Sequence, residues 1–99
     1  MSFETDYVKI CKCLKFGHND EAKNTVFENK ESVKIKHIKG FLDIAINSLN
    51  EEFLRFLVDN NFFGTGVNLK NCSLKHNKYE FYDKMDLLRK MLIYQKNNI

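Results

Sequence analysis

An all-α fold is what this sequence predicts, and three stretches predict it. Leu42, Ala45, Ile46 and Leu49 fall at i, i+3, i+4 and i+7, one face of a helix, and Phe53, Phe56 and Leu57 resume that spacing after a break at Asn50. Phe3, Tyr7, Ile10, Cys11 and Leu14 make a similar stripe near the start, and Phe81, Met85, Leu88 and Leu92 make another near the end. Two apolar faces as close as those flanking Asn50 must meet. Residues 40–61 are therefore expected to form two short antiparallel helices against which the rest of the chain stacks.

Taken in order, the first helix carries Lys9, Lys12 and Lys15 on its wet side and stops at Gly17-His18. Asn19-Asp20-Glu21 opens the next by placing a capping side chain ahead of two acids, which favour the positive end of a helix dipole. Residues 31–39 alternate at Val33 and Ile35 before losing phase at His37-Ile38, which suits a short strand or an extended loop. Asn50 then caps the second helix of the central pair with Glu51 and Glu52 in its first turn, and Asn60, Asn61 and Gly64 end it. Phe62 to Ser73 read as an irregular connection. The last helix has Asp83 and Asp86 near its start and frays at Lys96-Asn97-Asn98.

A repeat is visible at an offset of 31 residues. Asn19, Ala22, Val26, Phe27, Glu28 and Asn29 align with Asn50, Phe53, Leu57, Val58, Asp59 and Asn60. Leu42-Asp43-Ile44-Ala45-Ile46, followed by Asn50, Glu52 and Phe53 to Val58, is similar to the helix pair of an ankyrin repeat, residue class for residue class. Gly40-Phe41 stands where that family has Thr-Pro, and Asp43 where it has His. The resemblance implies a truncated ankyrin-like stack of helix pairs, or an irregular helical bundle, that binds proteins rather than catalysing a reaction.

Composition bounds the rest. Ninety-nine residues, 43% apolar and 13% aromatic, suffice for one domain, residues 1–99, with a core of its own. The net charge of +3 is unevenly spread, with +2 over residues 1–39, −3 over 40–69 and +4 over 70–99. Three cysteines, an odd number with no signal peptide ahead of them, point to reduced thiols and a cytoplasmic location. No apolar run is long enough to cross a bilayer.

Chemistry-bearing motifs are sparse. Cys11 and Cys13 with His18, or Cys72 with His76, offer zinc-type ligands, but neither set has a Cys-x-x-Cys knuckle. On a helix Cys11 and Cys13 point about 200° apart, so they read as small buried hydrophobes, and no metal or cofactor is expected. Gly64-Thr65-Gly66 follows a helix and lacks a phosphate loop's lysine, so it reads as a turn. His18, His37 and His76 sit among Lys or Asn with no obvious nucleophile or carboxylate beside them, and no catalytic residues are expected. The lysines at 70, 75, 78, 84 and 90, with Arg89, Tyr79 and Tyr82, suit a nucleic-acid surface less well than a solvated one.

In size, composition and missing active site the chain resembles the immunity proteins that bacteria encode beside antibacterial toxins, including those of contact-dependent growth inhibition. That resemblance implies stoichiometric binding of a cognate toxin domain. The acidic middle would suit a basic partner, with Glu51, Asp59, Phe62 and Phe63 as the contact set and Lys36 and Lys39 framing it. The chain itself is expected to be a monomer or weak homodimer. The alternatives are a small nucleic-acid binder working through the Lys-rich C-terminal region and a self-assembling structural protein.

Overall fold

Five helices account for most of the described residues in the computed structural model, which describes residues 3–60, 62 and 81–97. They are α1 (Phe3–Phe16), α2 (Asn19–Glu28), α3 (Ile35–Asn47), α4 (Glu51–Asp59) and α5 (Phe81–Asn97), with one 3-10 turn, Lys30–Ser32, between α2 and α3. Among the described residues there is no strand, and no helix is long and apolar enough to cross a membrane.

The 31-residue offset is a property of the structure. Carried back by 31, α3 and α4 fall on residues 4–16 and 20–28, ending with α1 and α2 to the residue. Equivalent positions share their burial: Ile10 with Phe41, Leu14 with Ala45, Ala22 with Phe53, and Val26 with Leu57 are buried pairwise. The two pairs lie side by side, α1 on α3 and α2 on α4, and α5 covers the far side of α3 and α4. The central pair thus has neighbours on both sides. Phe41, Leu42, Phe53, Leu54 and Leu57 are at most 2% exposed because of it.

Both hairpin turns use one device. The chain passes through the left-handed region at Gly17 (φ 76°) and at Leu49 (φ 56°), and the next residue's N–H reaches back five residues, His18 to the Cys13 carbonyl at 2.8 Å and Asn50 to the Ala45 carbonyl at 2.7 Å. Glycine adopts this conformation without cost, whereas a leucine Cβ crowds its own backbone by about 1–2 kcal/mol. Leu49 is 39% exposed, so little packing is lost with its side chain. Leu49→Gly is expected to stabilise the fold by about 1 kcal/mol, read as a higher urea midpoint with an unchanged slope.

Three expectations need correction. Residues 35–39 are helical rather than extended, because the buried stripe of α3 already begins at His37 and Ile38. The His37 ring closes the start of that helix: its Nδ1 accepts the Lys34 backbone N–H at 2.9 Å, as a glutamate does at the third position of a capping box. Asn19, for its part, is the first residue of α2 rather than its cap, a position taken by His18 without a side-chain bond. The Asn19 Oδ1 instead accepts Asn50 Nδ2 at 2.7 Å, joining the equivalent residues of the two pairs. The final helix forms as expected, but its most buried positions are Lys84, Leu87 and Met91, one residue ahead of the predicted stripe. Leu87, Leu88, Met91 and Leu92 offer two adjacent apolar stripes, and the packing of α5 on the central pair selects between them.

Contact between the pairs is closest where α1 meets α3. A Cβ on Gly40 would collide with the Tyr7 hydroxyl and lie 2.9 Å from Cζ of that ring. Tyr7 cannot simply swing aside, since its ring rests on His37 and Phe41 at centroid distances of 5.1 and 5.4 Å. Gly40→Ala gains about 1 kcal/mol of helix propensity and loses about 1–3 kcal/mol to overpacking. A net destabilisation of about 1 kcal/mol is expected, smaller in a Tyr7→Phe background because the colliding hydroxyl is gone. A double-mutant cycle by urea denaturation measures the difference.

Candidate functional site

Two of the three acidic residues of α4, Glu51 and Asp59, face α5, whereas Glu52 accepts Lys23 Nζ of α2 at 2.9 Å. Glu51 accepts Lys90 Nζ at 2.9 Å and Arg55 Nη2 at 2.8 Å, and Tyr94 donates its hydroxyl to Asp59 Oδ1 at 2.6 Å. Arg55 also lies over the Tyr94 ring, 5.1 Å from its centroid. Residues 51, 55 and 59 are four apart, one stripe of α4, and Lys90 and Tyr94 are four apart on α5, so the contact is a ladder between two helices. The Lys90 hydrogen bond, followed by its charge and that of Arg55, holds the Glu51 carboxyl below its usual range.

That depression sets the sign of an acid response. A carboxyl whose folded pKa lies below its unfolded value of 4.5 contributes its full stability above that pH and loses it as pH falls through the depressed value. Amides of α5 are therefore expected to lose hydrogen-exchange protection below pH 4.5 ahead of those of α3. Glu51→Gln should weaken α5 docking at neutral pH and flatten this response.

The remaining predicted contact residues lie apart from one another. Phe62 packs on Phe56 at 5.9 Å, and Phe56 meets Phe27 edge-on at 5.1 Å. Lys36 pairs with Glu4 at 3.5 Å at the start of α3, and Lys39 is exposed on the same helix. Phe63 lies outside the described residues. These positions are thus spread over the α4–α5 seam, the α2–α4 edge and the start of α3.

A continuous open surface occurs on the outer side of α1. Thr5, Val8, Lys12 and Phe16 follow each other along the helix at three- and four-residue steps and, with Lys9 beside Val8, line a groove that Glu4, Cys13 and His18 complete. Val8 is 52% and Phe16 68% exposed, values at which an apolar side chain gains little from folding. Lysine nitrogens surround them: Lys9 stands 3.4 Å from Glu21, and Lys15 lies over the Phe16 ring at 5.8 Å. Glu4 stays ionised here, its carboxyl held below the usual range first by the His37 hydrogen bond, and it pairs with Lys36 at 3.5 Å. The surface is apolar at its centre, and at its rim Lys9, Lys12 and Lys15 outnumber Glu4 and the Glu21 that pairs with Lys9. Sequence reading assigned α1 its buried stripe and passed over Val8 and Phe16, whose signal was to be apolar at the wrong helical phase.

Catalytic groups do not converge at either surface. His37 does have a carboxylate partner, Glu4 Oε1 at 3.2 Å from Nε2, which the sequence reading did not anticipate. Because Nδ1 accepts a backbone N–H, the neutral ring carries its proton on Nε2 and donates it to Glu4. Both ring nitrogens are occupied within the chain, and the ring is buried between Phe3 and Tyr7. Burial pushes the thiols of Cys11 and Cys13 above their usual range, so both are protonated at neutral pH. Among the described residues no three His, Cys, Asp or Glu side chains are grouped to hold a metal; Cys72, His76 and Gly64 to Gly66 lie outside them. No protein-family model, curated protein or solved structure matches the chain.

Proposed function

We propose that this chain is a non-catalytic protein-binding module that takes its partner on the outer face of α1. The observation that carries the reading is the exposure of Val8 and Phe16 on one helix face, with Lys9 and Lys12 lining the groove and Lys15 over the Phe16 ring. Binding energy concentrates in aromatic anchors surrounded by polar residues that exclude water, and this face has that composition. Its charge favours an acidic partner. Glu51 and Asp59, by contrast, are engaged in holding α5, which argues against a basic partner at the acidic middle. Neutralisation of a toxin by direct coverage is the biological role we favour for such a binder, with the toxin's acidic surface over α1. Nucleic acid is disfavoured, since Lys84 is buried and Arg89 and Lys90 pair with Asp86 and Glu51.

Affinity purification from the native host, followed by titration of the captured protein, tests this reading. The wild-type chain should bind one protein stoichiometrically through an acidic region. Val8→Asp with Phe16→Asp should weaken that binding by roughly 30-fold or more, as loss of an anchor does, while Tyr82→Ala on exposed α5 should not. Full affinity in the double variant would remove α1 as the site. A micromolar dimer dissolved by the same substitutions would assign the face to self-association, and capture of nucleic acid alone would overturn the class.

A further inference from the structure

We propose that the groove on the outer side of α1 takes an acidic amphipathic helix of the partner protein, laid alongside α1 in the place that α1 itself holds on α3. This specifies which element of the partner the face receives, and so rests on the protein-binding reading of that face. The repeat supplies the geometry. Gly40, Ile44 and Asn47 are residues of α3 turned toward α1: Gly40 lies against the Tyr7 ring, and Ile44 and Asn47 share a cavity with Tyr7, Val8 and Cys11. Carried back by 31, these three positions are Lys9, Cys13 and Phe16, and all three line the outer groove. The groove is thus the face of the first pair that corresponds to the face by which the second pair receives α1.

Differences between the two pairs specify what that helix carries. Tyr7 sits against Gly40, with Asp43 close enough to act on its hydroxyl. Thirty-one residues earlier those two positions are Lys9 and Lys12. A helix in the same register sets one residue, the counterpart of Tyr7, beside two ammonium groups, and a carboxylate there is what their charge selects. Lys9 meets Glu21 at 3.4 Å with both side chains about half exposed, so a second carboxylate adds to that pair without having to break it. Phe16, where α3 has the polar Asn47, gives the incoming helix an apolar anchor, and Val8 lies two turns earlier on the same face. Direction follows from the internal contact: α1 runs parallel to α3, with Phe3 on His37 at one end and the Leu14 carbonyl on Asn50 at the other. A partner helix in that direction brings its negative C-terminal end to Lys15 and its positive N-terminal end to Glu4. A second copy of the chain is a poorer occupant. α5 covers the face of the central pair that would continue the stack, and two α1 faces in twofold contact oppose lysine to lysine.

The probe is a hydrocarbon-stapled peptide of the α1 sequence, Phe3–Phe16, with Cys11→Ala and Cys13→Ala to prevent oxidation and either Tyr7→Glu or Tyr7→Lys. The staple keeps 14 residues helical that would be marginal alone in water. Titrated into the full chain and followed by backbone NMR shifts, the Glu peptide should bind about tenfold more tightly than the Lys peptide and shift residues around Val8, Lys12 and Phe16. Lys12→Glu in the chain should erase that preference, and Lys9→Glu with Lys12→Glu should reverse it. Thermal melts establish that each variant is folded, and the single substitution decides where the double one is not. A spin label at the peptide's N-terminus should broaden Thr5 and spare Phe16. Equal affinity of the two peptides, a preference unchanged by Lys12→Glu, broadening at Phe16 alone, or absence of binding at millimolar concentration would each overturn the proposal. Release of the native partner by Val8→Asp with Phe16→Asp, alongside any of those failures, would keep α1 as the site and remove only the helix.

Discussion

Replacing Asn50 with alanine is expected to destabilise the chain by about 3 kcal/mol and to lower Tm by roughly 10–20 °C. This one side chain makes three hydrogen bonds from a buried position. Its Oδ1 accepts the Phe53 N–H at 3.2 Å and so caps α4, while Nδ2 donates to the Leu14 carbonyl at 3.2 Å and to Asn19 Oδ1 at 2.7 Å. Loss of the cap alone costs about 1 kcal/mol. The remainder comes from acceptors of α1 and α2 left without a donor away from water, each costing about 1–3 kcal/mol. Asn50→Asp separates the two roles. An aspartate caps a helix as well as asparagine does, so a pure capping function would leave the variant near wild type. The bridge predicts the reverse, because a carboxylate would face the lone pairs of Leu14 and Asn19 with nothing to donate. Asn50→Asp should be at least as destabilised as Asn50→Ala at pH 7, and its stability should improve as the carboxyl is protonated. Wild-type stability in Asn50→Asp would show that the bridge contributes nothing.

Phe53→Ala should cost about 3–5 kcal/mol, a large part of the stability of a domain this size. The ring is fully buried at the start of α4, edge-on to Phe41 at 6.0 Å and tilted against Phe56 at 5.3 Å. Tyr7 continues the series beyond Phe41, so aromatic contact runs from α1 through α3 to α4. Removing its middle opens a cavity between elements that cannot collapse independently. Phe53→Leu, which keeps most of the apolar volume, should cost less than Phe53→Ala. Urea denaturation followed by circular dichroism measures both, and a loss below 1.5 kcal/mol for the alanine variant would mean that the central pair is not the core. The equivalent residue of the first pair, Ala22, is as fully buried as Phe53. Related positions in the repeat therefore share burial without sharing size.

Much of the helical framework was legible in the sequence. Local spacing located the central pair, the first helix and the last, and Gly17, at a left-handed position, and Asn50, the cap of α4, marked the two turns. The misread stretch, residues 35–39, failed for a physical reason: Val33 and Ile35 alternate over too few residues to outweigh an N-terminal cap made by an aromatic nitrogen, which carries no capping signature in sequence. Asn19 was misplaced because an asparagine ahead of two acids reads the same whether it caps its own helix or receives a bond from another.

The candidate site was much less legible. Glu51 and Asp59 look available in sequence, and their partners Lys90 and Tyr94 are 39 and 35 residues away. Val8 and Phe16 look like ordinary helix residues until the neighbours of α1 are known. What the sequence determined by itself was the helical character of most of the described residues and where the chain turns, because spacing, capping and left-handed turns act over a few residues. What only the tertiary structure decided was which apolar stripe of α5 is buried, which acids are engaged within the chain and which side of α1 faces solvent. Those outcomes depend on contacts between residues far apart in the chain, and local pattern does not encode them.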